Sequence, residues 1–140
     1  MATKDQIKIE VSIEENMEKV WEYWTKPEHI TKWNHASEDW LCPSAENDLK
    51  EDGKFVYRME AKDGSFGFDF SGTYKEVNPK KKLVYEIEDG RMVTILFSEE
   101  DNTTTIKQTF EPETENSKEM QKEGWQAILN TFKKYAENQN

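Results

Sequence analysis

A chain of 140 residues with 34% hydrophobic and 12% aromatic content fits one domain whose core is built from few, large side chains. Its net charge of −10 argues against a general nucleic-acid binder, which needs a basic surface to displace phosphate counterions, and against docking on an anionic membrane. A single cysteine, Cys42, excludes an internal disulfide framework and a cysteine-rich zinc site.

The opening MATKDQIKIE lacks the apolar core of a leader, and no apolar run reaches membrane-spanning length, so the cytoplasm is the expected location. Ile7, Ile9, Val11 and Ile13 alternate with polar residues and predict a half-buried strand. Asn16 then suits a helix N-cap, and Met17, Val20, Trp21 and Trp24 give the helix an apolar face. After a break at Lys26, Pro27 suits the first position of a second short helix, Pro27–Trp33. The stretch Asn34–Pro43 has no period and is expected to be an ordered loop closed by Trp40.

Strands and turns alternate from there. Ala45–Lys50 predicts a short strand, followed by strands Lys54–Lys62, Phe66–Val77, Leu83–Glu88, Arg91–Glu99 and Thr103–Pro112. Asp52-Gly53, Asp63-Gly64 and Asp89-Gly90 between alternating runs are hairpin signals, so the strands form an antiparallel meander. Ser117–Glu137 is the one long amphipathic stretch, with Ser117 as its N-cap. Met120, Trp125, Ile128, Leu129, Phe132, Tyr135 and Ala136 share its apolar face. Gly124 is expected on that face, where a missing side chain would let a neighbour press in. A strongly curved sheet gripping this helix is the economical way to bury both faces.

That order matches the helix-grip, α+β fold of the START-like (SRPBCC) superfamily, which includes the birch-pollen allergens. Four stretches narrow the likeness: I-E-V-S-I-E-E-N-M-E-K-V-W-E-Y-W-T-K-P-E-H-I-T-K-W at 9–33, D-G-K-F-V-Y-R-M at 52–59, F-S-G-T-Y-K-E-V-N-P-K-K-K-L-V-Y at 70–85 and G-W-Q-A-I-L-N-T-F at 124–132. They resemble the heat-shock-protein-90 ATPase activator homologue-like (AHSA-like) family over nearly the whole chain. The resemblance implies a curved antiparallel sheet of about seven strands around a long C-terminal helix. Two short helices follow strand one, and a cavity lies between sheet and helix. It also implies two partners to test, a hydrophobic small molecule and a heat-shock ATPase. Cyclase- or hydrolase-like chemistry is a third possibility, since some START-like relatives perform it.

The residues themselves point to binding more than to catalysis. His29 and His35 form no metal-ligand spacing, and no cofactor fingerprint is present. His29 is expected in solvent, His35 at the mouth of the cavity, and Cys42 as an inert thiol for want of a nearby base. Asp69 and Glu86 alternate against aromatic neighbours and are expected on the outer face, where Arg58 and Glu60 could join them. The inner face is aromatic. Trp33, His35, Trp40, Tyr57, Met59, Phe68, Phe70, Tyr85, Trp125 and Leu129 are the expected ligand-binding residues; no catalytic or metal-ligating residue is expected. A monomer or weak dimer is the expected assembly, with no cofactor.

Overall fold

The computed structural model describes residues 6–35, 37–114 and 116–138. Residues 1–5, on which the leader reading partly rests, and Ala36, inside the expected loop, lie outside them. Strict alternation makes β1 (Ile7–Ile13), whose four aliphatic side chains are buried while the residues between them face solvent. Asn16 Oδ1 accepts from the Lys19 amide at 3.0 Å and caps α1 (Met17–Thr25). The extended Lys26 ends α1 and opens α2 (Pro27–Trp33), with Pro27 in the first turn, where its missing N–H costs nothing.

β2 spans Trp40–Asn47, so it starts five residues before the expected Ala45 and absorbs the end of the expected loop. The pairing of β2 with β3 (Lys54–Ala61) shifts between Leu41 and Ser44, which breaks the two-residue period that would have revealed the strand. Pro43 is tolerated there because β2 is an edge strand. The remaining strands are β4 (Gly67–Asn78), β5 (Lys82–Ile87), β6 (Met92–Glu100) and β7 (Thr103–Phe110). They form one antiparallel sheet of seven strands in the order β1-β7-β6-β5-β4-β3-β2. The hairpin turns at Gly64 and Gly90 adopt φ of +78° and +94°, the left-handed region that glycine enters without steric cost.

α3 (Lys118–Glu137) begins at Ser117, whose Oγ accepts from the Met120 amide at 3.1 Å. It lies against β1: Gln126 Nε2 donates to the Glu10 carbonyl at 3.1 Å, and Glu137 accepts from the Glu14 amide at 2.9 Å. Leu129, Phe132 and Ala136 are fully buried along its inner seam. Phe132 meets Trp24 and Trp33 edge-on, each at 4.9 Å, and those two indoles stack at 4.8 Å. The aromatic core therefore joins all three helices. Trp33 is buried at no polar cost, because its Nε1 donates to the Tyr23 carbonyl at 2.8 Å.

Two expectations for α3 fail. Met120 is 60% exposed, in the first turn and beyond the reach of the sheet. Gly124 faces open space: a Cβ there would meet nothing within 4 Å. A third correction concerns His29, which is half-buried. Its Nδ1 lies 2.6 Å from the Tyr135 hydroxyl and its Nε2 3.6 Å from Glu22, so the imidazole ties α2 to α1 and α3. On the outer sheet face Arg58 pairs with Glu60 at 2.9 Å and Asp69 at 3.4 Å, and Lys75 pairs with Glu86 at 3.5 Å.

Candidate functional site

A curved sheet and a straight helix touch along a line and diverge to either side of it. Here the divergence leaves a cavity of about 300 Å³ between β3–β7 and the helices. Phe55, Tyr57 and Met59 of β3 and Phe68, Phe70 and Tyr74 of β4 form one wall. Leu83 and Tyr85 of β5, Ile95 of β6 and Gln108 of β7 continue it. Trp24, Trp33 and Asn34 close the end toward α1 and α2, and Trp125 and Ile128 form the helical side. Trp125 stacks on Phe110 with ring centres 3.9 Å apart and meets Phe70 edge-on at 6.1 Å, so it bridges helix and sheet.

One glycine is fixed by this packing. A Cβ on Gly72 would come within 2.6 Å of the Glu86 carbonyl and 2.8 Å of the Phe55 ring. Gly72 thus lets Phe55 lie flat on β4, and Phe55 in turn supports Tyr57 at 4.9 Å and Tyr85 at 4.8 Å.

Apart from the Arg91 guanidinium and the indoles, the polar groups of the wall are phenols and amides. Tyr74 donates to Asn47 Oδ1 at 2.6 Å, and Asn47 Nδ2 donates to the Thr25 carbonyl at 2.7 Å, which ties β4 to β2 and α1. Burial pushes the Tyr74 phenol up to about 12, with hydrogen bonds to Tyr57 and Asn47 offsetting part of the effect. Burial also raises Tyr57 and Tyr85 well above the ordinary tyrosine value; neighbouring phenols add to this in both, and Gln108 relieves Tyr85 in part. All three phenols therefore stay neutral at physiological pH and act as hydrogen-bonding groups in an apolar wall. The Asn34 amide is buried, and its Nδ2 donates to sulfur: Met59 Sδ at 3.5 Å and Cys42 Sγ at 4.0 Å. The buried Cys42 thiol is itself raised by desolvation, which removes it further from nucleophile chemistry.

The family model described as Activator of Hsp90 ATPase homolog 1-like protein matches residues 15–137. The chain belongs to that family. An AHSA1-like protein from Aeromonas hydrophila is 42% identical, with a TM-score of 0.90 over 95% of this chain and 92% of that one. A protein from Cytophaga hutchinsonii is 50% identical, with a TM-score of 0.83 over the same shares. A protein from Nitrosomonas europaea, 18% identical with a TM-score of 0.84 over 99% of this chain and 100% of that one, shares the fold. No curated protein matches the chain.

Within this AHSA1-like frame, seven of the expected residues meet at the cavity: Trp33, Tyr57, Met59, Phe68, Phe70, Tyr85 and Trp125. Three do not. Leu129 points into the solid core, and its neighbour Ile128 takes the cavity position. Trp40, as the first residue of β2, is not part of the lining; it packs on Phe66 and on the lining residue Phe68, at 6.1 Å each. His35 stands off the wall, half-buried, with its basicity lowered by desolvation and by Lys62. Tyr74 and Ile95 were legible as inward strand positions. Asn34, Arg91 and Gln108 carried no such signal, because a polar residue on a strand or loop reads as solvent-facing.

Among the described residues, no three His, Cys, Asp or Glu side chains gather as metal ligands. No helix among them is long and apolar enough to cross a membrane. The wall offers aromatic surface, neutral phenols and amides, and one guanidinium, that of Arg91.

Proposed function

We propose that this protein is a binding module for a small hydrophobic molecule, held in the cavity between the sheet and α3. The cavity is the observation that supports the reading. Its volume of about 300 Å³ stands at the lower end of the range for ligand sites, and its wall is aromatic with a few polar handles. Left to water it would hold on the order of ten molecules, poorly served by such a wall. Displacing them with apolar surface gains about 25 cal/mol per Å² buried. The proposal includes a cytoplasmic setting, which fits a lone, buried, unpaired cysteine.

The test is titration with a panel of lipids, sterols and flavonoids, followed by amide chemical shifts. Binding in the cavity should move Tyr57, Phe70, Trp125 and Ile128 together. Shifts confined to the outer sheet face, or none across the panel, would overturn the reading. The family's description carries the alternative of contact with a heat-shock ATPase. Turnover of that ATPase with this protein in stoichiometric excess separates the two, since the cavity reading expects no change.

A further inference from the structure

One cationic side chain, Arg91, lies in the cavity wall among the described residues. It follows the Asp89-Gly90 turn, and Asp89 holds it twice. Asp89 Oδ1 accepts from the Arg91 amide at 3.1 Å, and Oδ2 accepts from Nε at 2.8 Å. A longer bond runs from Nη1 to the Glu111 carbonyl at 3.4 Å. The guanidinium has five N–H donors in a rigid fork. The side-chain bonds occupy the Nε hydrogen and one on Nη1, which leaves the Nη1–Nη2 end of the fork available.

Exposure marks which lining residues reach solvent. Trp33, Asn34 and Met59 are buried at the α2 end of the cavity. Phe68 is 40% exposed, Arg91 22%, and Phe70 and Trp125 are half-buried. Phe68 is the cross-strand partner of Met59 and belongs to the α2 end, so the mouth that concerns Arg91 lies among the part-exposed Phe70, Arg91 and Trp125, where Arg91 sets the one positive charge.

We propose that the ligand is an amphipathic carboxylate, with its apolar body inside the cavity and its carboxylate on Arg91 at the mouth. This rests on the binding-module reading and gives it a ligand class. A charged head cannot go to the deep end, where neutral phenols and amides would leave it desolvated and unpaired. At the mouth it keeps part of its water and gains charge-assisted hydrogen bonds from a fork that matches two carboxylate oxygens. A single charge also suits the surroundings. The chain carries −10 overall, the Asp89 carboxylate sits on Arg91, and Glu111 Oε1 accepts from the adjacent Met92 amide, so a dianionic phosphate would meet stronger repulsion. Asp89 acts here as a positioning residue: it fixes the guanidinium without covering its free end.

The experiment compares naphthoate and decanoate with their methyl esters, on the intact protein, by calorimetric titration. Each acid should bind about tenfold or more tightly than its ester, the difference expected of a hydrogen-bonded charge pair. Arg91→Gln should abolish that preference by weakening the acid more than the ester; Arg91→Lys, which keeps the charge and loses the fork, should retain part of it. Urea midpoints of both variants report any purely structural role of the Glu111 contact. If acid and ester bind the parent equally, or if the preference survives Arg91→Gln, the carboxylate assignment is wrong and the cavity reading stands. If neither acid nor ester binds, both fall.

Discussion

Phe132 and Trp125 lie on the same helix, two turns apart, and the structure gives them different energetic roles. Phe132 is completely buried, edge-on against the stacked pair Trp24 and Trp33. Phe132→Ala removes a ring from close-packed surroundings and should cost about 3–5 kcal/mol, including the void it leaves. Trp125 is half-buried and faces a cavity that already exists. Its loss forfeits about 1–2 kcal/mol of partial burial and about 1 kcal/mol of stacking on Phe110, with little new void to penalise. With a urea slope of about 2 kcal/mol/M, midpoints should fall by about 2 M for Phe132→Ala and about 1 M for Trp125→Ala. Ligand affinity should move the other way, more for Trp125→Ala than for Phe132→Ala. Equal midpoints in parent and both variants would mean that the helix is not gripped. A larger loss for Trp125→Ala would mean that the cavity side of α3, and not the Phe132 seam, holds the fold together.

Gly124→Ala should raise stability by about 1 kcal/mol, because the position is mid-helix with open space around it; a lower thermal midpoint would show a neighbour there after all. Gly72→Ala should lose about 1–3 kcal/mol, since a backbone carbonyl and the Phe55 ring both stand in the way, and an unchanged urea midpoint would refute that packing. Tyr135→Phe removes the 2.6 Å contact to His29 and should cost about 0.5–1.5 kcal/mol by chemical denaturation. At alkaline pH the buried phenols dominate. Unfolded tyrosine ionises near 10.0 whereas Tyr74 in the fold holds its proton to about 12, so stability is complete below pH 10 and declines as pH rises toward 12. The slope should reach about 1.4 kcal/mol per pH unit for each such phenol. All five tyrosines titrating together near pH 10 in the folded protein would contradict this.

Sequence alone determined the elements whose signals are local. Alternation placed β1 and most of the meander, Asp-Gly pairs marked two left-handed hairpin turns, and Asn16 and Ser117 announced the starts of α1 and α3. Each of these is settled by backbone conformation or by hydrogen bonds within a few residues, so a short window suffices. The same period assigned Tyr57, Phe70 and Tyr85 to the inner face. What only the tertiary structure decided depends on curvature and on contacts between distant segments. A helical wheel cannot separate Ile128 from Leu129, because one faces a gap and the other a packed core, and only the divergence of sheet from helix distinguishes them. Met120 and Gly124 belong to the apolar stripe by spacing, yet the sheet does not reach them. Asn34, Arg91 and Gln108 are polar residues that line the cavity; Asn34 and Gln108 meet partners far along the chain, and Arg91 is fixed by the adjacent Asp89 with a longer bond to the Glu111 carbonyl. The physical reason is that burial is a property of the assembled surface. Spacing tells which residues share a face, and the shape of what lies opposite tells whether that face meets core, cavity or water.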